Sequence, residues 1–348
     1  MPRPNGSCAP RRRALISSPR RSFAGQSPFL ILLLIALTAP SGWVAAASQP
    51  IATFSIVGYD PDTGDLGVAV QSKFFAVGAV VPYAQAVVGA IASQAFGNTT
   101  FGPFGLGLLA KGLAPEAVLE ELLAADSLRE QRQVGIVDAQ GRAAAFTGEK
   151  CMEWAGHLTG ENFAAQGNIL VSEETVAAMA QAFRETDGIL GEKLIRALEA
   201  GQAAGGDSRG VQSAAMLIVR AEGGYAGYND RYCDLRVDDH EHPIAELRRI
   251  FNIWQEHALI LEGYRLCDEN RYTEAFATGK RMTELYPRSG EAFYHYACYY
   301  SKAGHFGRAL NELQRAVKRD ASLGERAKKD TDFEPLWEEG MFLEIVGR

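Results

Sequence analysis

Thr53 opens the first segment with clear β-strand character, directly behind a segment typical of an export signal. The sequence from Gln49 is "QPIATFSIVGYDPDTGDLGVAVQS". A threonine at a chain terminus can act as a nucleophile that uses its own α-amino group as the base. The chemistry would be amide hydrolysis, in which the hydroxyl attacks a carbonyl carbon and its proton passes to the amine, directly or through a water. Thr53 is therefore the candidate nucleophile.

Further polar side chains are candidates for the same reaction. Gln94, Asn98 and backbone N–H groups of "SQAFGN" could donate to the oxyanion of the tetrahedral intermediate. Asn98 and Gly97 could equally shape a turn. Lys73 follows the second predicted strand, whose end a hairpin brings back beside Thr53. It could lower the pKa of the amine or bind an acidic substrate, and a solvated lysine at a strand end is the alternative.

Candidates for substrate binding come from two places in the sequence. Ser72 stands beside Lys73, and the glycine-rich stretch "GGDSRGVQSAA" supplies Asp207, Arg209 and Gln212. Asp207 and Arg209 could pair locally, while the glycines allow a close backbone approach to a ligand. The stretch lacks the lysine of a phosphate loop and precedes a strand rather than a helix, which argues against nucleotide binding.

The segment "VDDHEH" holds acids and imidazoles, which are metal-ligand types. On an extended chain Asp238, His240 and His242 would share one face. The favoured interpretation is different: a turn whose carboxylates cap a helix that begins at Pro243, because proline suits the first turn and acids suit its positive end. Neither a nucleotide, a flavin nor a metal signature stands out, so no cofactor is predicted.

Residues 1–47 have the order of a secretory signal peptide. A basic region ends at Arg20-Arg21, an apolar core follows from Phe29, and a small-residue tract closes the segment at Ala47. The core is short for a bilayer span, although an uncleaved membrane anchor is the alternative. Twin-arginine and general secretion routes both stay open. Cleavage after Ala47 leaves the spacer 48–52, "SQPIA", so a free amine on Thr53 requires a second cut.

The length, net charge and cysteine content of the chain limit the kinds of protein it can be. A length of 348 residues is typical of about two domains, and the net charge of -7 disfavours nucleic-acid binding. Export followed by localisation in the periplasm or outside a bacterial cell is predicted, with membrane contact through the signal segment alone. Four cysteines, which remain after signal removal, are expected to be buried thiols, with pairing of some of them as the alternative: Cys151, Cys233, Cys267 and Cys298.

Residues 53–245 show a mixed pattern of strands and helices. Hairpins are predicted around "PDTGD", Asp138–Gly141 and Gly223-Gly224, and a further strand pair over "AVGAVVPYA" and "VVGAIASQAF". Helical spacing follows in "FGPFGLGLLAKGLAPEAVLEELLAAD", where Pro115 suits a first helical turn. It also appears in "SEETVAAMAQAFRET", with Ser172 as N-cap, and in "LGEKLIRALEAGQAAGG". The order of strands, helix, strands, helices and strands predicts an α+β layered fold.

Residues 246–348 are predicted to be helical throughout, with an internal repeat. Gly263, Ala275 and Pro287 have the spacing of a tetratricopeptide unit, and one period of about 34 residues later stand Ala297, Ala309 and Ala321. The second unit departs from the motif where alanines replace its Gly and Pro. This region is a candidate for docking a protein partner or for self-association.

Several blocks of the sequence resemble one bacterial family. They are "ATFSIVGYDPDTGDLGVAVQSKFFAVGAVVPYAQAVVGAIASQAFGN", "RQVGIVDAQGRAAAFTG", "AGHLTGENFAAQGN", "AGGDSRGVQSAAML" and "VDDHEHPIAELRRI". Together they span about Thr53 to Ile250 and resemble the domain of unknown function 1028. The resemblance implies the N-terminal nucleophile (Ntn) hydrolase superfamily, a four-layer αββα sandwich, and Thr53 as the nucleophile. The export signal and spacer depart from the family pattern.

Two functions of different class follow from these expectations. The first is an exported Ntn-type amidohydrolase acting on a small amide or peptide-like substrate, with Thr53 as nucleophile. The alternative is a catalytically inactive Ntn-fold binding module in which the helical tail mediates protein interaction. The two differ in whether the mature chain begins at Thr53.

Overall fold

The computed structural model describes residues 53–347. The predicted signal peptide and spacer therefore lie outside the described residues. Within 53–347, no helix combines the length and the apolar character that crossing a membrane requires.

Ten strands form two antiparallel sheets in the described part of the chain. The strands are β1 (Thr53–Tyr59), β2 (Leu66–Ser72), β3 (Pro82–Gln85), β4 (Gly89–Ala95), β5 (Arg132–Asp138), β6 (Ala143–Thr147), β7 (Gly156–Gly160), β8 (Phe163–Asn168), β9 (Ser213–Val219) and β10 (Arg231–Val237). One sheet has six strands in the order β10-β9-β2-β1-β8-β7, and the other has four in the order β3-β4-β5-β6. Strand β1 is thus central in the larger sheet, paired on both sides.

Helices pack on both sheets and form the C-terminal region. They are α1 (Phe101–Leu109), α2 (Pro115–Ala124), α3 (Glu174–Glu185), α4 (Leu190–Ala203), α5 (Pro243–Asp268), α6 (Tyr272–Leu285), α7 (Gly290–Lys302), α8 (Phe306–Arg319), α9 (Ser322–Ala327) and α10 (Gly340–Ile345). Single 3-10 turns cover Val77–Ala79, Arg129–Gln131, Tyr225–Gly227 and Thr331–Leu336. The predicted α+β class and the helical C-terminal region are confirmed.

Side chains on the two faces of β1 pack into two different apolar cores. Phe54 and Ile56 pack with α3 and α4 in one cluster, whereas Val57 joins a cluster that it shares with Ala90 and Ala92 of β4. Successive side chains of a strand point to opposite faces, so one face of β1 meets the helices and the other meets the second sheet. Helices α1 and α2 cover the four-stranded sheet through a further apolar cluster.

The helical region has its own core, and α5 joins it to the sheets. Ile244, Leu247 and Phe251 of α5 belong to the cluster under the six-stranded sheet, while Leu266 belongs to the cluster of the tail. The predicted boundary between residues 245 and 246 falls inside α5, whose first residue is Pro243, as expected. All four cysteines in the described residues are free thiols.

The helical stretch after Thr100 is two helices, and Pro115 opens the second, as its suitability for a first helical turn predicts. Gly112 adopts φ 89° between them. Several other local predictions were wrong for identifiable reasons. The expected strand over "AVGAVVPYA" is strand only from Pro82. Ser172 does not cap α3, whose N-cap position is Glu173 without a side-chain cap. The carboxylates of "VDDHEH" do not cap α5 either, since its N-cap residue, His242, makes no such bond. Strand β7 was not predicted.

Candidate functional site

Thr53 is the first residue of the central strand and is fully buried. The register places Ser72 of β2 opposite it on one side and Asn168 of β8 opposite it on the other. Thr53 Oγ1 donates a hydrogen bond to Ser72 Oγ at 3.2 Å. Polar residues therefore lie side by side on three adjacent strands, at the start of β1 and at the ends of β2 and β8. The hairpin between β1 and β2 brings Ser72 to Thr53.

A network of buried amides and hydroxyls extends from Thr53 between the two sheets. Gln94 of β4 donates from Nε2 to the Thr53 carbonyl oxygen at 3.2 Å, and its Oε1 accepts from Ser55 Oγ at 2.6 Å. Ser55 in turn accepts from Gln166 Nε2 at 2.6 Å. These side chains are fully buried. Buried polar groups of this kind are retained only when they are hydrogen-bonded, so the network holds the Thr53 backbone in a defined position.

Gln133 of β5 is the centre of this network. Its Oε1 accepts from Gln94 Nε2 at 2.8 Å and from Asn168 Nδ2 at 2.9 Å. Its Nε2 donates to Thr147 Oγ1 at 2.9 Å and to the carbonyl oxygens of Gly167 at 2.7 Å and Gly156 at 3.1 Å. One carboxamide thus connects both sheets beside Thr53.

The two expected oxyanion donors occupy different settings. The Nε2 group of Gln94 already donates to Thr53 and Gln133, so Gln94 orients the backbone of Thr53 in this structure. Asn98 lies in the turn before α1, where its Nδ2 donates to Asp126 Oδ2 at 3.0 Å and its Oδ1 accepts from Thr100. This geometry matches the turn-shaping alternative for Asn98.

Asp126 links that turn to the start of β5. It forms an ion pair with Arg132 at 2.8 Å, and both side chains are about nine-tenths buried, at 8% exposure each. Arg132 also donates to the carbonyl oxygen of Phe96. Burial acts to raise the pKa of Asp126, but hydrogen bonds from Arg132, Asn98 and the Leu128 amide outweigh it and lower the pKa to about 2. The carboxylate is therefore charged over the whole physiological range.

The substrate-binding candidates meet at the end of β2. Asp207 accepts from the backbone amide of Lys73 at 2.9 Å and pairs with Arg209 at 3.1 Å. The Gln212 amide N–H donates to the Ser72 carbonyl oxygen at 3.1 Å, and its side chain donates to Asp239. Lys73 Nζ donates to the carbonyl oxygen of residue 211 at 3.2 Å. The glycine-rich loop is thus fixed beside Ser72 by these contacts.

The metal-ligand candidates of "VDDHEH" do not converge in the structure. His240 Nδ1 accepts from the backbone amide of His242, and the two rings lie 6.4 Å apart. Within residues 53–347, side chains at metal-ligating distances from one another are Cys298, Asp330 and Asp332 of the tail. The two carboxylates there accept hydrogen bonds from tyrosine hydroxyls of the same core.

Five side chains of the network were not predicted from the sequence: Ser55, Gln133, Thr147, Gln166 and Asn168. A signal exists for Ser55, Gln133, Gln166 and Asn168, since these polar residues lie in the fully or almost fully buried strands β1, β5 and β8. Thr147 ends the partly exposed strand β6 and carries no such signal. His157 is a further candidate at this site, since its Nδ1 lies 2.8 Å from Thr147 Oγ1. Burial lowers the pKa of His157 below its ordinary value, which favours the neutral ring.

Comparison with known proteins gives a family but no function. The family model described as "Family of unknown function (DUF1028)" matches residues 53–247. The crystal structure of protein SPO2555 from Silicibacter pomeroyi, which carries the same family label, is similar with a TM-score of 0.53 and 33% sequence identity. The similarity covers 57% of this chain and 88% of that protein. No curated protein matches this sequence.

Proposed function

Because this chain belongs to the DUF1028 family, a family of unknown function, we propose a function from its own geometry: an exported amide hydrolase with Thr53 as an N-terminal nucleophile. The substrate is a small amide or a peptide-like molecule. The observation that carries the proposal is the placement of Thr53 at the start of the central strand. Its hydroxyl is hydrogen-bonded to Ser72, and its carbonyl oxygen accepts a hydrogen bond from Gln94. A nucleophile that must carry its own base needs such a fixed backbone.

The layering of the first 190 or so described residues supports the Ntn-hydrolase assignment. Helices α3 and α4 pack on the six-stranded sheet, α1 and α2 pack on the four-stranded sheet, and the two sheets face each other through an apolar cluster. We take this as the four-layer αββα sandwich of that superfamily. Fold alone does not give activity, so the proposal depends on the Thr53 site rather than on the layers.

In the proposed reaction, the Thr53 hydroxyl attacks the carbonyl carbon of the amide. Its proton passes to the α-amine of the same residue, which later donates a proton to the leaving amine. A water then hydrolyses the resulting ester and regenerates the hydroxyl. Ser72 orients the Thr53 hydroxyl, and Gln94 with Gln133 fixes the backbone. Backbone amides near "SQAFGN" and the side chain of Lys73 remain candidates for contacts with the developing charge.

The mechanism requires the bond between Ala52 and Thr53 to be cut. Export through the signal peptide 1–47 leaves the spacer 48–52 in place, so an aminopeptidase or self-cleavage has to remove it. Export also motivates the peptide-like substrate class, since cell-wall fragments carry amide bonds outside the cytoplasm.

The helical tail is proposed to be tetratricopeptide-like. Its support is close packing at a small position of the motif, since a Cβ added at Gly263 would meet the Tyr299 ring at 2.3 Å. The chain departs from the motif at Gly279, where the motif has a large residue and Tyr296 packs instead. Ala275 and Ala309 are fully buried at the corresponding spacing. We propose that this tail docks a protein partner or a second copy of the chain.

The test begins with the exported protein. Intact mass spectrometry is expected to show a chain that begins at Thr53, and a panel of chromogenic amides is expected to reveal turnover. Thr53→Ala should then lose activity by at least about a thousandfold, because the nucleophile is gone. Thr99→Ala removes a hydroxyl from the exposed turn before α1 and should leave turnover unchanged.

A working protein whose Thr53 is still joined to Ala52 contradicts the mechanism. Full activity of Thr53→Ala on any amide contradicts it equally. Either result favours the alternative, in which the sandwich is a catalytically inactive binding module and the helical tail mediates protein interaction.

A further inference from the structure

A cleft of about 570 Å³ lies beside the Thr53 network, on the side of β6 and β7. Its volume is within the usual range for small-molecule sites. The side chains that matter for recognition are Thr147, Glu149, Cys151, Glu153, Trp154 and His157.

Two buried residues, Gln133 and Asn168, lie between the cleft and Thr53. Thr147 and Gly156, which line the cleft, both accept hydrogen bonds from Gln133 Nε2. The other end of the Gln133 carboxamide accepts from Asn168, the cross-strand neighbour of Thr53. The contacts of Gln133 and Asn168 therefore connect this cleft to the strand that carries the candidate nucleophile.

Backbone contacts fix the loop that carries the cleft. Trp154 exchanges two backbone hydrogen bonds with Leu170, at 3.2 Å and 3.0 Å. Its ring lies against Gly156, where an added Cβ would come within 2.5 Å of the indole. The absence of a side chain at Gly156 thus leaves room for the Trp154 ring at the cleft. Because the site is already formed, a ligand loses little binding free energy to the ordering of side chains.

The charged side chains that line the cleft are all acidic. Glu149 and Glu153 are exposed carboxylates, and no Lys or Arg lines the cleft among the described residues, since the exposed Lys150 between them is not part of the lining. Burial lowers the pKa of His157 and raises the pKa of the Cys151 thiol, so both favour their neutral forms. Two carboxylates and an indole face are the groups that attract an ammonium ion.

We propose that this cleft binds the ammonium group of an amine-bearing amide, such as a peptide with a free amino group. The inference rests on the proposed function, because it assigns this cleft to the charged end of the substrate whose amide bond Thr53 attacks. It excludes acidic amides as the preferred substrates. It also gives Glu149, Glu153 and Trp154 roles in specificity rather than in the chemical step.

The test is calorimetric titration of the exported protein with alanyl-lysinamide and with the same peptide acetylated on both amines. The charged peptide is expected to bind at least about tenfold more tightly than the acetylated one. The double variant Glu149→Gln/Glu153→Gln should abolish that preference. Trp154→Leu should weaken binding of the charged peptide more than binding of the acetylated one.

A second double variant, Glu120→Gln/Glu121→Gln, is the matched control. These two glutamates lie exposed on α2 and do not line the cleft, and their replacement changes the net charge of the protein by the same amount. It should keep the preference for the charged peptide, which separates a local effect from the overall negative charge of the molecule.

Equal affinity for the two peptides overturns the inference, as does binding of neither peptide or a preference that survives the Glu149→Gln/Glu153→Gln change. The outcome is separable from that of the proposed function. Charge-dependent binding with no amide hydrolysed by the protein supports the cleft and contradicts the nucleophile. Hydrolysis of amides without a preference for the charged peptide supports the nucleophile and contradicts the cleft.

Discussion

Gln133 takes part in five side-chain hydrogen bonds and has no solvent exposure. Gln133→Met keeps the approximate volume but removes all five. Donors on Gln94 and Asn168 then lose a buried acceptor, and an unpaired buried group costs about 1–3 kcal/mol. We expect the free energy of unfolding, measured in urea, to fall by about 3 kcal/mol.

The control for that change is Gln140→Met. Gln140 lies exposed in the turn between β5 and β6, and replacing it should change the free energy of unfolding by less than about 0.5 kcal/mol. Equal stability of the two variants would show that the amide network contributes little to folding.

Asp126 gives the folded protein a defined response to acid. Its pKa is lowered from 3.8 to about 2 in the folded state, despite the opposing effect of burial. The stabilisation from its charged form is therefore complete above about pH 4 and is lost as the pH falls through about 2. Comparing the protein with Asp126→Asn in urea, we expect the difference in unfolding free energy to shrink by about 2 kcal/mol between pH 4.5 and pH 2.

Asp62→Asn serves as the control for the acid response, because Asp62 is exposed in the turn between β1 and β2. Its profile should follow that of the unmodified protein. If Asp126→Asn follows it as well, the Arg132 and Asn98 bonds do not lower the carboxyl pKa in solution.

Single residues of the site were predictable to different degrees. Thr53 and Ser72 stand out because a hairpin with a clear turn fixes their pairing, and that register is observed. Gln133 did not stand out, since a glutamine near the start of a strand gives no hint of what lies across the gap between two sheets. The partners of Gln133 come from β4, β6, β7 and β8, and only the packing of the sheets brings them together.

At the scale of elements, glycines set how closely α1 packs on its sheet. Gly102 lies under the ring of Tyr83 on β3, where an added Cβ would come within 2.1 Å, whereas Gly107 of the same helix has open space around it. Gly102→Ala should therefore destabilise the protein. Gly107→Ala should stabilise it by up to about 1 kcal/mol, because alanine favours helix.

Thermal unfolding of the two single alanine variants measures this contrast. The midpoint should fall for Gly102→Ala and rise slightly for Gly107→Ala. Shifts of the same sign would mean that helix propensity, rather than contact with Tyr83, governs α1.

Elements with strong patterns were predicted correctly, and weakly patterned ones were not. β1 and β2 alternate around a turn with Gly64 at φ 76°, and helices α3 and α4 have clear apolar faces. β7 is short, mostly exposed and at the edge of its sheet, so "GHLTG" carries little strand signal. The boundary between α1 and α2 lies at Gly112, which has a positive φ, and Pro115 in the first turn of α2 marks it in the sequence.

At the scale of the whole molecule, α5 connects two cores. It has 26 residues and would extend about 39 Å as a regular helix. Phe251 in its first half packs against Gly191 of α4, and Leu266 in its second half packs into the tail. Arg248 adds ion pairs to Glu192 and Glu199 of α4. The first half of α5 thus packs on the sheets and its second half packs on the tail. If either core unfolds, the half of α5 that it covers becomes exposed to solvent.

This sharing predicts that the described residues unfold together. Phe293, 1% exposed in the tail core, lies beneath the guanidinium groups of Arg315 and Arg319. Phe293→Ala should cost about 3–5 kcal/mol and lower the midpoint of a single calorimetric transition by about 6–10 °C. Phe306→Ala, at a side chain 40% exposed on α8, should leave the midpoint almost unchanged. Two resolved transitions, of which Phe293→Ala moves only one, would show instead that the tail and the sandwich are independent domains joined by a helix that tolerates the melting of one half.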